Sequence, residues 1–185
     1  LTPSGHDLLA HVRDMGDAAR RFSTVAYGQN DKIEGEVRIS ASDAYCAMLL
    51  PPILAKLQQH EPRITVELIP SNDASDLLRR EADIAIRNFR PKEPDLIARK
   101  LRDATARLYG TPGYLGSLGP LREPGDLTRA KLIGIDRTGR MAEVLNGMGC
   151  RLSTENFPYV TASFPVMWAL VKEGMGLGII DDRIG

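Results

Sequence analysis

Arg87 could pair with a carboxylate ligand, because a guanidinium presents its donors in a fork that matches one. It opens the tripeptide Arg87-Asn88-Phe89, directly after an apolar run at 82–86. Two further polar groups follow strand-like stretches: Ala41-Ser42-Asp43 after 36–40, and Ser71-Asn72-Asp73 after 64–70. Ser42 and Asp43 also begin a helix-like segment, where free N–H groups and the helix dipole favour negative charge. Ile135 and Asp136 end a later strand, and Ser163-Phe164 open a later helix. Together these nine positions, Ala41, Ser42, Asn72, Arg87, Asn88, Ile135, Asp136, Ser163 and Phe164, are the candidate ligand contacts. Plainer readings stand beside several: Ser42 and Asp43 as helix caps, Arg87 in a surface or intramolecular ion pair, Phe164 as core.

Catalysis has no comparable support. His6, His11 and His60 are scattered, and no Ser/His/Asp arrangement or paired carboxylates stand out. Cys46 and Cys150 are far apart and lack metal-ligand spacing, so they read as reduced thiols. Gly174, Gly176 and Gly178 lie between a helix and a strand, the reverse of a dinucleotide fingerprint. The expectation is a non-enzyme with neither metal nor cofactor.

The positioning elements follow from periodicity. Ile64, Val66 and Leu68 alternate with Thr65 and Glu67, a half-buried strand that should stop at Pro70. Ser75 then caps a short helix at 76–80, and 82–86 is a strand covered on both faces. Strand, helix and strand make a βαβ unit, so a parallel sheet runs through here, and such sheets bind ligands beyond the carboxyl ends of their strands. Before it, 36–40 alternates as a strand and 44–50 begins a helix that Pro51-Pro52 breaks or restarts. After it come a surface loop at 91–94, strands at 96–101 and 106–109, a short helix from Thr111-Pro112, a strand at 131–136 and a helix at 141–149. A strand at 157–161, a helix capped by Ser163 and closing at Gly174, and a last strand from Gly176 to Asp181 complete the order. At the front, Leu8, Val12, Met15, Ala19 and Phe22 fall at alternating spacings of four and three, the seam of a dimerising coiled coil. The plainer reading is an amphipathic helix packed on its own domain.

The 185 residues are 43% hydrophobic and 26% charged, ordinary for a soluble globular protein. Lys and Arg total 24 against 24 Asp and Glu, which argues against a nucleic-acid footprint as the main surface. With no run of ~20 apolar residues and no signal-peptide pattern, a cytoplasmic address without membrane contact is expected. Leu1 is not methionine and the chain stops just after a strand, as a fragment would.

Several stretches in order resemble the LysR-type transcriptional regulators. They are Leu-Thr-Pro-Ser-Gly (1–5), Glu-Gly-Glu-Val-Arg-Ile-Ser (34–40), Leu-Leu-Pro-Pro-Ile-Leu (49–54), Leu-Leu-Arg-Arg-Glu-Ala-Asp-Ile-Ala-Ile-Arg (77–87), Pro-Asp-Leu-Ile-Ala-Arg-Lys-Leu (94–101), Leu-Tyr-Gly-Thr-Pro-Gly-Tyr-Leu (108–115) and Ala-Leu-Val-Lys-Glu-Gly-Met-Gly-Leu-Gly-Ile (169–179). The resemblance implies an α/β, two-lobed, periplasmic-binding-protein-like (type 2) effector domain preceded by a long linker helix. Residues 1–32 would be the linker and dimerisation helix, 33–110 a first lobe lacking its C-terminal return, and 111–185 the second lobe. It further implies a small-molecule effector between the lobes, an anion among the options, and a homo-oligomer, dimer or tetramer. Promoter DNA would be reached only through a helix-turn-helix head missing before Leu1. The rival binding module is a free solute-binding protein of the same fold.

Overall fold

The computed structural model describes residues 33–72, 82–90 and 96–185, together with Thr2, Leu8, His11, Val12, Met15, Gly16 and Ala18. The expected helix at 76–80 with its Ser75 cap, the loop at 91–94, and Ala19 and Phe22 of the seam lie outside the described residues. Leu8, Val12 and Met15 are helical and exposed.

Strand β1 (Gly35–Ala41) is the centre of a three-stranded sheet ordered β2-β1-β3, with β2 (Ile64–Pro70) and β3 (Ile84–Ile86) both parallel to it. Register places Arg38 opposite Glu67, and their side chains pair at 2.6 Å. The parallel sheet expected from the strand–helix–strand pattern is therefore present, with β1 between the strands of that unit. Pro70 is the last paired residue of β2. It sits at the end of an edge strand, where a missing donor costs little.

Beyond β1 the chain enters a helix whose first turns widen into a π segment, Tyr45–Leu49, and then continue as α1 (Leu50–His60). Pro51-Pro52 restarts the helix rather than ending it. Both prolines fall in the first turn of α1, and the wider π turn accommodates two residues that cannot donate. Ala41, Tyr45, Cys46 and Leu50 form a small core here with Ile39, Leu68 and Ile86.

The remaining residues build on β4 (Ala106–Tyr109), which pairs antiparallel with the last strand, β7 (Gly178–Asp181). Helix α2 (Pro112–Leu118) starts at Thr111, whose hydroxyl accepts the Tyr114 N–H at 3.2 Å, a cap the Thr-Pro pair predicts. Strand β5 (Ile133–Gly134) pairs in parallel with β6 (Tyr159–Val160), and Leu132 bridges to Leu177. Helices α3 (Arg140–Gly147) and α4 (Phe164–Lys172) cover these strands, and Leu132, Ile133, Met167 and Leu177 are fully buried. At Gly178 a Cβ would lie 2.6 Å from the Val171 side chain, so glycine is what lets α4 lie this close to β7.

Two strand expectations need correction. Residues 96–101 form no strand: the run pairs with no neighbour among the described residues, and Ile97 and Leu101 project into solvent. The 82–86 run is not covered on both faces. Only Ile84–Ile86 is strand, at the sheet edge, with Ile84 exposed while Ile86 packs on the Tyr45 and Cys46 cluster.

Candidate functional site

The carboxyl ends of β1, β2 and β3 open onto a cavity of about 240 Å³ that also meets the start of α4 and the end of β7. Ser42, Asn72, Arg87, Asn88 and Phe164 line it, five of the nine candidate contacts. Tyr45, Phe89, Ile180, Asp181 and Ile184 complete most of its wall.

Arg87 is anchored from behind. One terminal nitrogen donates to Ser40 Oγ at 2.7 Å and the other to its neighbour's carbonyl, Ile86 O, at 3.1 Å. Its Nε is buried without a partner, and among the described residues no carboxylate pairs with the guanidinium. The intramolecular ion pair expected as an alternative is thus not formed by the described residues. A buried N–H left open in this way costs about 1–3 kcal/mol. Beside it, burial pushes the Cys46 thiol up, outweighing the positive charge of Arg87.

Asn72 and Asp43 reach across the cavity mouth. The Asn72 carbonyl oxygen accepts the Asp43 N–H at 3.2 Å, and its amide nitrogen donates to Ala162 O at 3.2 Å. Asp43 Oδ2 accepts the Phe164 N–H at 3.0 Å, while Oδ1 accepts the Ala44 N–H at 2.8 Å. Ser163 holds the N-cap position of α4 but makes no side-chain cap bond. The Phe164 N–H is capped instead by Asp43, 121 positions before Phe164, a correction to the local reading of Ser163. Ser42 does cap its own helix, its Oγ accepting the Tyr45 N–H at 3.3 Å.

The other candidates sit elsewhere. Ala41 is completely buried in the core below the cavity. Ile135 packs between two core clusters, and Asp136 accepts two hydrogen bonds from Thr138, closing its own turn. Those bonds hold the Asp136 carboxyl below its usual range.

Sequence reading missed Tyr45 and Asp181. Tyr45 Oη donates to Asp181 Oδ2 at 2.7 Å, and Arg102 forms an ion pair with Asp181 Oδ1. Burial alone would raise the Asp181 carboxyl; Arg102, the Arg183 N–H and Tyr45 outweigh it and hold it low. The signal was available for Asp181, which ends a strand at the same rim as the other contacts. A second, larger cavity of about 310 Å³ lies between Leu108, Leu115, Leu121, Leu127 and Leu177, with Arg122 and Glu123 at its edge. It lacks converging polar groups of the kind that orient a ligand.

Sheet order, strand-end cavity and antiparallel crossing pair define a type 2 periplasmic-binding-like domain. The structure resembles the regulatory domain of CrgA, a LysR-type transcriptional regulator from Neisseria meningitidis, with a TM-score of 0.70 at 23% identity over 82% of this chain and 75% of that one. It also resembles the Vibrio cholerae virulence activator AphB at a TM-score of 0.64 and 21% identity, covering 98% of this chain and 63% of AphB. Residues 30–184 match the LysR substrate binding domain family, to which the chain belongs. Among curated relatives, the HTH-type transcriptional regulator PtxR of Pseudomonas aeruginosa is 33% identical over 138 residues, 74% of this chain and 44% of PtxR. CrgA itself is 26% identical over 152 residues, 80% of this chain and 50% of CrgA. The chain therefore spans half or less of the length of these two relatives. Among the described residues no helix is long and apolar enough to cross a membrane, and no cluster of His, Cys, Asp or Glu suits a metal ion.

Proposed function

We propose that this chain is the effector-sensing and oligomerisation portion of a LysR-type transcriptional regulator, and that a small anionic molecule binds in the strand-end cavity. In this reading residues 1–32 pair subunits, while 33–110 and 111–185 form the two lobes that close on the effector. The observation that carries it is Arg87, a guanidinium-bearing residue that lines the 240 Å³ strand-end cavity with no carboxylate partner among the described residues. Ligand bound between the strand ends and α4 favours one spacing of Asn72 and Asp43 against 162–164. That preference passes to the paired front helices and, through a DNA-binding head, to promoter contact. Family membership and the similarity to the transcriptional regulators PtxR and CrgA support regulation over catalysis.

Calorimetric titration of the chain with a panel of small carboxylates tests this. At least one should bind saturably, and Arg87→Gln should weaken it by about 10-fold or more, the loss of one charged hydrogen-bond pair. Binding that is indifferent to Arg87→Gln would remove the reading.

A further inference from the structure

We infer that Asp43 sets the charge selectivity of the cavity, restricting it to ligands with a single negative group on an apolar body. The inference rests on the effector reading above and names the chemical class that site accepts.

Two features near the cavity attract anions: the Arg87 guanidinium and the N-terminus of α4, a nine-residue helix. The second is already filled. Asp43 Oδ2 takes the Phe164 N–H at 3.0 Å, so the protein's own carboxylate stands where a ligand's would. Its other oxygen is held at 2.8 Å by Ala44 N, at the start of the helix that leads into α1. Asp43 thus bonds to two helix N-termini, between Ser42 and Ala44, which both line the cavity.

Asp181, the acidic residue of the lining, is equally committed, to Arg102, to the Arg183 N–H at 2.9 Å and to Tyr45. Arg102 is spent on that pair and on Asp182. Among the described residues Arg87 is the cation of the lining without a carboxylate partner. A first carboxylate can pair with it. A second, reaching toward α4, would meet Asp43, which has no cationic partner among the described residues, and like charges in a partly desolvated space repel strongly. The space between is instead apolar on several sides, walled by Phe89, Phe164 and Ile184. An aromatic or branched monocarboxylate satisfies both ends; a dicarboxylate does not.

The test compares phenylacetate with 4-carboxyphenylacetate, which share a body and differ by one carboxylate, by calorimetry on the full chain. The wild type should bind the monoanion at least ~10-fold more tightly, about 1.4 kcal/mol. Asp43→Asn keeps one oxygen, which can take the Phe164 N–H at the loss of the bond from the Ala44 N–H, and removes the charge, so it should fold and should narrow that gap by tightening the dianion. Equal wild-type affinities, or a gap that persists in Asp43→Asn, would overturn the role of Asp43 while leaving an Arg87-dependent site intact. A wild type that binds neither acid at millimolar concentration overturns the monocarboxylate class. If an Arg87-dependent anion still emerges from the wider panel, only this inference has failed; if none does, the effector reading has failed first.

Discussion

Tyr45 and Asp181, 136 positions apart, are joined by a 2.7 Å hydrogen bond that ties the π turn after β1 to the end of β7. The two lie in different sheets' neighbourhoods, so the bond fixes one side of the cavity. Burial, with the carboxylate beside it, pushes the Tyr45 hydroxyl above its usual range, as expected of a donor locked to an anion. Tyr45→Phe keeps the ring in the Ala41 and Cys46 core and deletes only the donor. It should cost about 1.5–3 kcal/mol, the range for hydrogen bonds to charged groups. Urea denaturation monitored by circular dichroism would show a lower midpoint with an unchanged slope; an unchanged midpoint would mean that the bond contributes nothing net.

Asp181 makes stability pH-dependent in a definite direction. Its folded carboxyl titrates below the unfolded value of about 3.9, because Arg102, the Arg183 N–H and Tyr45 overcome the opposing effect of burial. A depressed folded pKa gives stabilisation that is complete above the unfolded value and disappears as pH falls through the folded one. Asp181→Asn should therefore be less stable than wild type by a constant margin from pH 7 to about 5, and the margin should shrink below pH ~4. Asp126 and Asp136 are lowered too, by hydrogen bonds within their own turns, so the substitution flattens only part of the acid limb. Denaturation midpoints of both proteins at pH 7, 5 and 3.5 decide it; a margin that widens in acid would reverse the assigned sign.

Local pattern carried much of this architecture. Ile64, Val66 and Leu68 read as a strand because alternation needs only one covered face, and 106–109 coincides with β4. Pairing across the chain is what local pattern cannot express. The 96–101 run has strand composition yet pairs with nothing among the described residues, since a strand exists only where a neighbour offers donors and acceptors. Ser163 has the residue type of a cap, but the Phe164 N–H is taken by Asp43, brought there by the folded sheet. The same holds at the site: Ser42, Asn72, Arg87 and Asn88 were legible from strand-end position, whereas Tyr45 is defined by a partner near the far end of the chain. Ile135 and Asp136 also end a strand, but one whose rim faces its own turn and core.

The front of the chain tests the oligomerisation reading. Leu8, Val12 and Met15 are helical and 66%, 57% and 73% exposed, apolar groups at heptad spacing with their faces in solvent. Two heptads in isolation are marginal as a helix, so burial against a second copy is the arrangement that would stabilise them. Val12→Asp combined with Met15→Asp would place carboxylates in that seam, where two copies bring like charges together in a desolvated strip. The solution mass from light scattering should fall, while the thermal melt of the cavity-bearing region, whose cores contain neither residue, stays within a few degrees. An unchanged mass would exclude the seam as the interface, and a collapsed melt would place these side chains against their own domain.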